Sequence, residues 1–84
     1  MIKIYGMPSC PDCQAIAPQV MRNLDKYEPH NIGSDVRVLK EFMQLRDNDP
    51  AFDDAKKLGY VGIPCFVLED GTVTLDPNEA GLSV

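Results

Sequence analysis

Two cysteines with two residues between them, Cys10 and Cys13, stand where a strand-like run gives way to an amphipathic helix. That junction is the strongest constraint on the fold. Thiols at this spacing on an opening helical turn can close a disulfide, so Met7-Pro8-Ser9-Cys10-Pro11-Asp12-Cys13 reads as a redox dithiol mounted at the end of a strand. Cys10, at the helix N-terminus, faces unpaired backbone N–H groups and the positive end of the helix dipole, which favour thiolate over thiol and make it the expected nucleophile. Cys13, deeper in the helix, is the expected resolving thiol. Pro11 restricts the loop between them, and the carboxylate of Asp12 works against the anionic form of Cys10.

The size of the chain, 84 residues, allows one small domain, expected to span 1–84. A net charge of -5 with only eight basic residues argues against nucleic acid and anionic membranes as partners. No stretch has the length and apolarity of a membrane span, and Met1-Ile2-Lys3-Ile4-Tyr5 reads as a strand rather than a secretory leader. Three cysteines in that setting fit a reducing compartment, so the expected location is the cytoplasm.

Along the chain, strands and helices alternate without internal repeats. Ile2 and Ile4 alternate with Lys3 and Tyr5 in a first strand, and Gly6 to Ser9 form the turn before the cysteines. From Cys10 a helix carries Ile16, Ala17, Val20, Met21 and Leu24 at helical spacing, with a kink expected at Pro18. Tyr27 to Ile32 reads as an edge strand, because Pro29 cannot donate a ladder hydrogen bond. Ser34 is the expected cap of a second helix reaching Asp47, with Val38, Leu39, Phe42 and Met43 as its buried stripe. Asp49-Pro50 opens another short helix that turns Phe52, Ala55 and Leu58 inward and stops at Gly59. Cys65 to Leu68 reads as a central strand, and Asp70-Gly71 as the turn of a hairpin returning through Thr72 to Leu75. Asp76-Pro77-Asn78-Glu79 has the pattern of a capping box with room for only a turn or so of helix.

Cys10-Pro11-Asp12-Cys13 after a strand, with Gly62-Ile63-Pro64 opening a later one, resembles the thioredoxin superfamily and most specifically a glutaredoxin-like protein. The resemblance implies an α/β, thioredoxin-like fold: a small mixed four-stranded sheet in β-α-β-α-β-β order, flanked by helices, with a truncated C-terminal helix. It implies a cis peptide bond before Pro64 and a role for Ile63 and Pro64 in docking the substrate backbone. It also implies disulfide-containing proteins or glutathione as partners, no tightly bound cofactor, and electrons from glutathione or a thioredoxin-reductase-like flavoprotein. Several positions depart from the glutaredoxin pattern. Met7 stands where a lysine is common, Asp12 where tyrosine is usual, and no Gly-Gly-x-x-Asp segment for glutathione follows Thr72; Pro18 is instead similar to the helix-kinking proline of thioredoxins.

Cys65, next to Pro64, is a third thiol with two readings: a small buried hydrophobe, or a second resolving thiol or metal ligand beside Cys10. His30, the only histidine, reads as a solvated edge residue, and Asp47, Asp49, Asp53 and Asp54 as helix caps and solvated charge. The expected activity is thiol–disulfide exchange, with Cys10 attacking, Cys13 resolving and Ile63-Pro64 docking the substrate. The alternative is a metal-binding or iron–sulfur glutaredoxin-like module, with a cluster bridged across a dimer. A catalytically idle adaptor would need neither the cysteine pair nor the Ile63-Pro64 element.

Overall fold

Successive side chains in a strand point to opposite faces, so Ile2-Lys3-Ile4-Tyr5 can bury residues of both parities only if the sheet is covered on both sides. The computed structural model, which describes residues 1–84, has this arrangement. Strand β1 (Ile2–Gly6) leads to helix α1 (Pro11–Met21), β2 (Tyr27–Asn31), α2 (Val36–Asn48), a 3-10 turn at Pro50–Phe52 running into α3 (Asp53–Leu58), β3 (Cys65–Val67), β4 (Val73–Thr74) and a last 3-10 turn at Pro77–Ala80. The four strands form one mixed α/β sheet in the order β2-β1-β3-β4, with β1 and β2 parallel and the other neighbours antiparallel.

Cross-strand register sorts the core into two layers. Ile4 lies opposite Phe66 and joins Ile2, Ile16, Val20, Tyr27, Ala80 and Leu82 under α1. One residue further along, Tyr5 lies opposite Cys65, and both pack with Ile32, Phe42 and Phe52 under α2 and α3. The rings of Phe42 and Phe52 meet edge to face at 5.7 Å, a favoured aromatic geometry. Pro29 sits opposite Ile4 in β2, which is the edge strand its missing N–H requires. The Tyr27 hydroxyl donates to the Ala80 carbonyl at 2.7 Å, fastening the last turn to the α1 layer.

Several local expectations are corrected. Cys10 is the N-cap of α1 rather than its first residue, and the helix ends at Met21, leaving Met21 and Leu24 exposed. It continues through Pro18, whose missing N–H deprives the Gln14 carbonyl of its usual donor. Asp35, not Ser34, caps α2: its carboxylate accepts the Arg37 N–H at 2.8 Å, while the Ser34 hydroxyl donates to the Asn31 carbonyl in the preceding turn. The inward stripe of α2 is Val38, Phe42 and Leu45, so Leu39 and Met43 face outward. Leu58 is exposed beside the left-handed Gly59 that ends α3. Asp76 accepts the Asn78 N–H, but its own N–H goes to Thr74 rather than to Glu79, so the capping box is not closed. No helix is long and apolar enough to cross a membrane.

Candidate functional site

The turn between β1 and α1 delivers Cys10 at the helix cap. Cys10 has extended backbone angles (φ -80°, ψ 122°), and its Sγ accepts the backbone N–H of Cys13 at 3.3 Å. Its carbonyl accepts the N–H of Gln14, so the residue begins the helical ladder while its side chain caps it. Pro11 occupies a position where a backbone N–H has no helical partner, so its missing donor costs nothing there. Asp12 follows in the first turn, exposed, where its charge suits the helix dipole. The Gln14 side chain donates to the Pro8 carbonyl at 2.8 Å and fixes the turn from below.

Cys13 points back toward β1. A Cβ on residue 6 would lie 2.9 Å from the Cys13 Sγ, so only glycine leaves room for the second thiol at the end of the strand. The Cys13 thiol is pushed up to about 12, first by burial, then by its hydrogen bond with Cys10 and by charge at Cys10 and Asp12, against a lowering contribution from the Met7 backbone. Both residues are free thiols.

Opposite Cys10 lies the loop before β3. The Ile63-Pro64 peptide bond is cis, and the Cys10 Sγ is 3.8 Å from the Ile63 carbonyl oxygen. Neither the N–H nor the carbonyl of Ile63 enters a backbone hydrogen bond within the fold. The loop is placed from two sides. Gly62, at φ +94°, lies so close to Phe52 that a Cβ would meet the ring at 2.7 Å. From α2, Arg46 donates through Nε to the Val61 carbonyl and through an Nη to the Tyr60 carbonyl, both at 2.8 Å. Between loop and helix runs an open groove of about 640 Å³, lined by Cys10, Asp12, Tyr60, Val61, Ile63 and Pro64 among others. A second cleft of about 340 Å³, between α1 and β2, reaches Cys13 from the other side, past Met7, Ala17, Pro29 and His30.

The expected residues Cys10, Pro11, Asp12, Cys13, Ile63 and Pro64 are thus brought together, the four other than Cys13 and Cys10 flanking the sulfur pair from helix and loop. Cys65 is not. It is fully buried, and its register opposite Tyr5 turns it into the α2 layer, across the sheet from α1. Burial, with a smaller contribution from Asp49, pushes its thiol up to about 12. The reading of Cys65 as a thiol beside Cys10 is therefore corrected by strand parity. His30 is not simply solvated either: its ring stacks on Tyr5 at 5.3 Å, with Nε2 buried 3.3 Å from a Glu28 carboxylate oxygen but without hydrogen-bond geometry. Asp49 accepts the Ala51 N–H, and Asp53 and Asp54 occupy the first turn of α3, which is the capping arrangement. For the cluster alternative, the fit is poor: no lysine, arginine or histidine lines the groove at Cys10 to hold the carboxylates of a glutathione co-ligand.

Gly6, Arg46, Tyr60 and Val61 belong to the site and were missed from sequence. A glycine closing the strand just before a cysteine pair is a usable signal for Gly6; nothing local marks the other three, which reach the site only through tertiary packing.

No family model matches the chain, and no solved structure matches it significantly. An uncharacterized protein of Haemophilus influenzae is 37% identical over 73 residues, covering 87% of this chain and 85% of that protein. The chain belongs to the same family as this protein. The match extends over most of both chains rather than over one motif.

Proposed function

We propose that the chain is a glutaredoxin-like thiol–disulfide oxidoreductase with a thioredoxin-like fold, acting as one domain in a reducing, cytoplasmic setting. The observation that carries this reading is the placement of the Cys10 sulfur: capped by the Cys13 N–H, 3.8 Å from the Ile63 carbonyl, and open to a groove. The sheet order β2-β1-β3-β4, with only β1 and β2 parallel, and the cis bond before Pro64 support the fold assignment.

Cys10 attacks as thiolate on one sulfur of a substrate disulfide. The new bond joins Cys10 to that sulfur, and the other substrate sulfur leaves as thiolate and takes a proton. The N–H of Cys13 remains directed at the Cys10 sulfur, and such a bond is stronger when the sulfur is charged. Cys13 then loses its proton and attacks Cys10, expelling the second substrate thiolate. The substrate gains two electrons and two protons, and the protein ends with a Cys10–Cys13 disulfide. The Cys13 thiol, raised first by burial and then by its hydrogen bond with Cys10, favours keeping its proton while Cys10 attacks, and the mixed disulfide removes the Cys10 contribution before resolution. The Ile63 N–H has no partner in the fold and its carbonyl accepts only from the Cys10 thiol, so this backbone is suited to hold an extended substrate beside Cys10.

The test is a redox titration of the purified protein in glutathione buffers, with free thiols alkylated and bonds located by peptide mass spectrometry. A reversible Cys10–Cys13 disulfide, with Cys65 reduced throughout, is the expected outcome. If that disulfide never forms across the titration, the proposal is lost.

A further inference from the structure

The groove beside Cys10 has a chemistry of its own. Its walls come from the first turn of α1 and from Tyr60 to Pro64, with Leu75 and Pro77 beyond, and Asp12 is the one acidic or basic side chain among them. Glutathione carries two carboxylates and one ammonium group, and a site for it needs a cation where this groove has an anion. The nearest guanidinium, Arg46, directs its Nε and one Nη at the Val61 and Tyr60 carbonyls. The whole chain, at -5, adds to the same sign.

The apolar surface does not stop at the groove. Tyr60 and Val61 are 64% and 54% exposed, and they also line a neighbouring hollow of about 200 Å³ with Leu39, Met43 and Ile32. A largely apolar shelf therefore runs from the nucleophile over the Tyr60-Val61 bend to the outward face of α2, with Arg46 lining its far hollow and holding the bend in place through two hydrogen bonds. Exposed Leu39 and Met43, outside the buried stripe of α2, are explained if a partner covers them.

We propose that the substrate is a protein or peptide disulfide whose cysteine is flanked by apolar and basic residues, seated along the groove and over Tyr60 and Val61, and that glutathione disulfide is a poor substrate. This rests on the oxidoreductase reading above. The exchange is the one already balanced: the substrate disulfide is reduced by the protein's own Cys10–Cys13 dithiol, so a single turnover needs no other reductant. Asp12 favours a basic residue next to the substrate sulfur, the shelf takes apolar side chains, and the backbone of Ile63, its N–H without a partner in the fold, holds the main chain between them.

The experiment uses pre-reduced protein in single turnovers, acid-quenched and quantified by chromatography. Four disulfides are compared: a peptide dimer with leucine and lysine flanking its cysteine, one of equal length with serine and glutamate, glutathione disulfide, and 2-hydroxyethyl disulfide, which has no flanks. The leucine–lysine peptide is expected to react roughly tenfold faster than the serine–glutamate peptide and glutathione disulfide. In Asp12→Asn the preference for basic over acidic flanks should narrow by roughly two- to threefold, a ratio that cancels any change in the nucleophile itself. Val61→Ser should narrow the preference for leucine over serine flanks. Equal rates for the two peptides, or a lead for glutathione disulfide, would overturn the substrate assignment and leave the oxidoreductase reading intact. If folded, reduced protein attacks none of the four, 2-hydroxyethyl disulfide included, both are overturned.

Discussion

Two cysteine-bearing segments of this molecule each follow a proline and each hold a thiol raised to about 12, the first turn of α1 with Cys13 and the head of β3 with Cys65. Their situations are opposite. Cys13 is only partly buried, beside a second thiol, and two hollows reach its surroundings; Cys65 is wholly buried in the other layer with Tyr5, Phe42 and Phe52. The same shift therefore arises in two settings. At both, burial is the first cause; at Cys13 the hydrogen bond and charge of the neighbouring Cys10 add to it, whereas at Cys65 the further contribution comes from Asp49. A raised thiol by itself reports burial, and it is the second sulfur beside Cys13 that sets the two segments apart.

The largest contrast is chemical. Cys10→Ser should abolish disulfide reduction, while Cys65→Ala should keep the rate per folded molecule within about twofold and lower stability by about 1 kcal/mol, seen by urea denaturation. At pH 8, iodoacetamide should label the native protein once, at Cys10, with Cys13 and Cys65 reacting only after unfolding or opening. A folded Cys65→Ala protein without activity would erase the distinction between the two segments.

Next in size is Gly62→Ala. It combines a positive φ with a Cβ 2.7 Å from the Phe52 ring, and the expected loss is about 3 kcal/mol. Because Phe52 belongs to the Cys65 layer and Gly62 to the loop facing Cys10, this substitution would also show how strongly the buried layer sets the site. Gly6→Ala acts from the other side. Cys13 has one rotatable bond to yield with, so a smaller loss, about 1 kcal/mol, should accompany slower closure of the Cys10–Cys13 disulfide, read by quenched alkylation. An unchanged closure rate would show that the second thiol does not need its place against β1.

The gentlest effect is that of pH. A thiol whose folded value lies above its unfolded one contributes stability that is intact below about 9 and is lost as pH rises toward about 12. For Cys65 the slope cannot exceed about 1.4 kcal/mol per pH unit, so denaturation midpoints should begin to fall above pH 9 and fall less in Cys65→Ala. Tyr5, raised chiefly by burial in the same layer and then by Glu41, adds to the decline at still higher pH. A midpoint that rises over this range would contradict the burial of both groups.

What could be read in the sequence follows the range of the forces involved. The alternation of Ile2 and Ile4, the edge position of Pro29 and the hairpin at Asp70-Gly71 are fixed by neighbours a few residues away, and each is found in the structure. So is the junction that carries Cys10 and Cys13. The errors arise where two local choices are nearly equal: Ser34 or Asp35 as cap, Leu39 or Leu45 as the third inward residue of α2. Cys65 was ambiguous because one residue of register decides which face of a sheet a side chain joins. Arg46 shows the limit most plainly, since its partners lie 14 and 15 residues on and are backbone carbonyls, which no side-chain pattern announces.

The stretch after Gly81 bears on how the molecule would be dismantled. Ser83 exchanges two hydrogen bonds with the Gln19 side chain, while Leu82 is buried against the layer under α1. A protease acting on this stretch would meet a main chain lashed to a helix, with a core residue beside the tie. Degradation would then have to wait for the α1 layer itself to open, which ties the lifetime of the protein to the same helix that holds its dithiol.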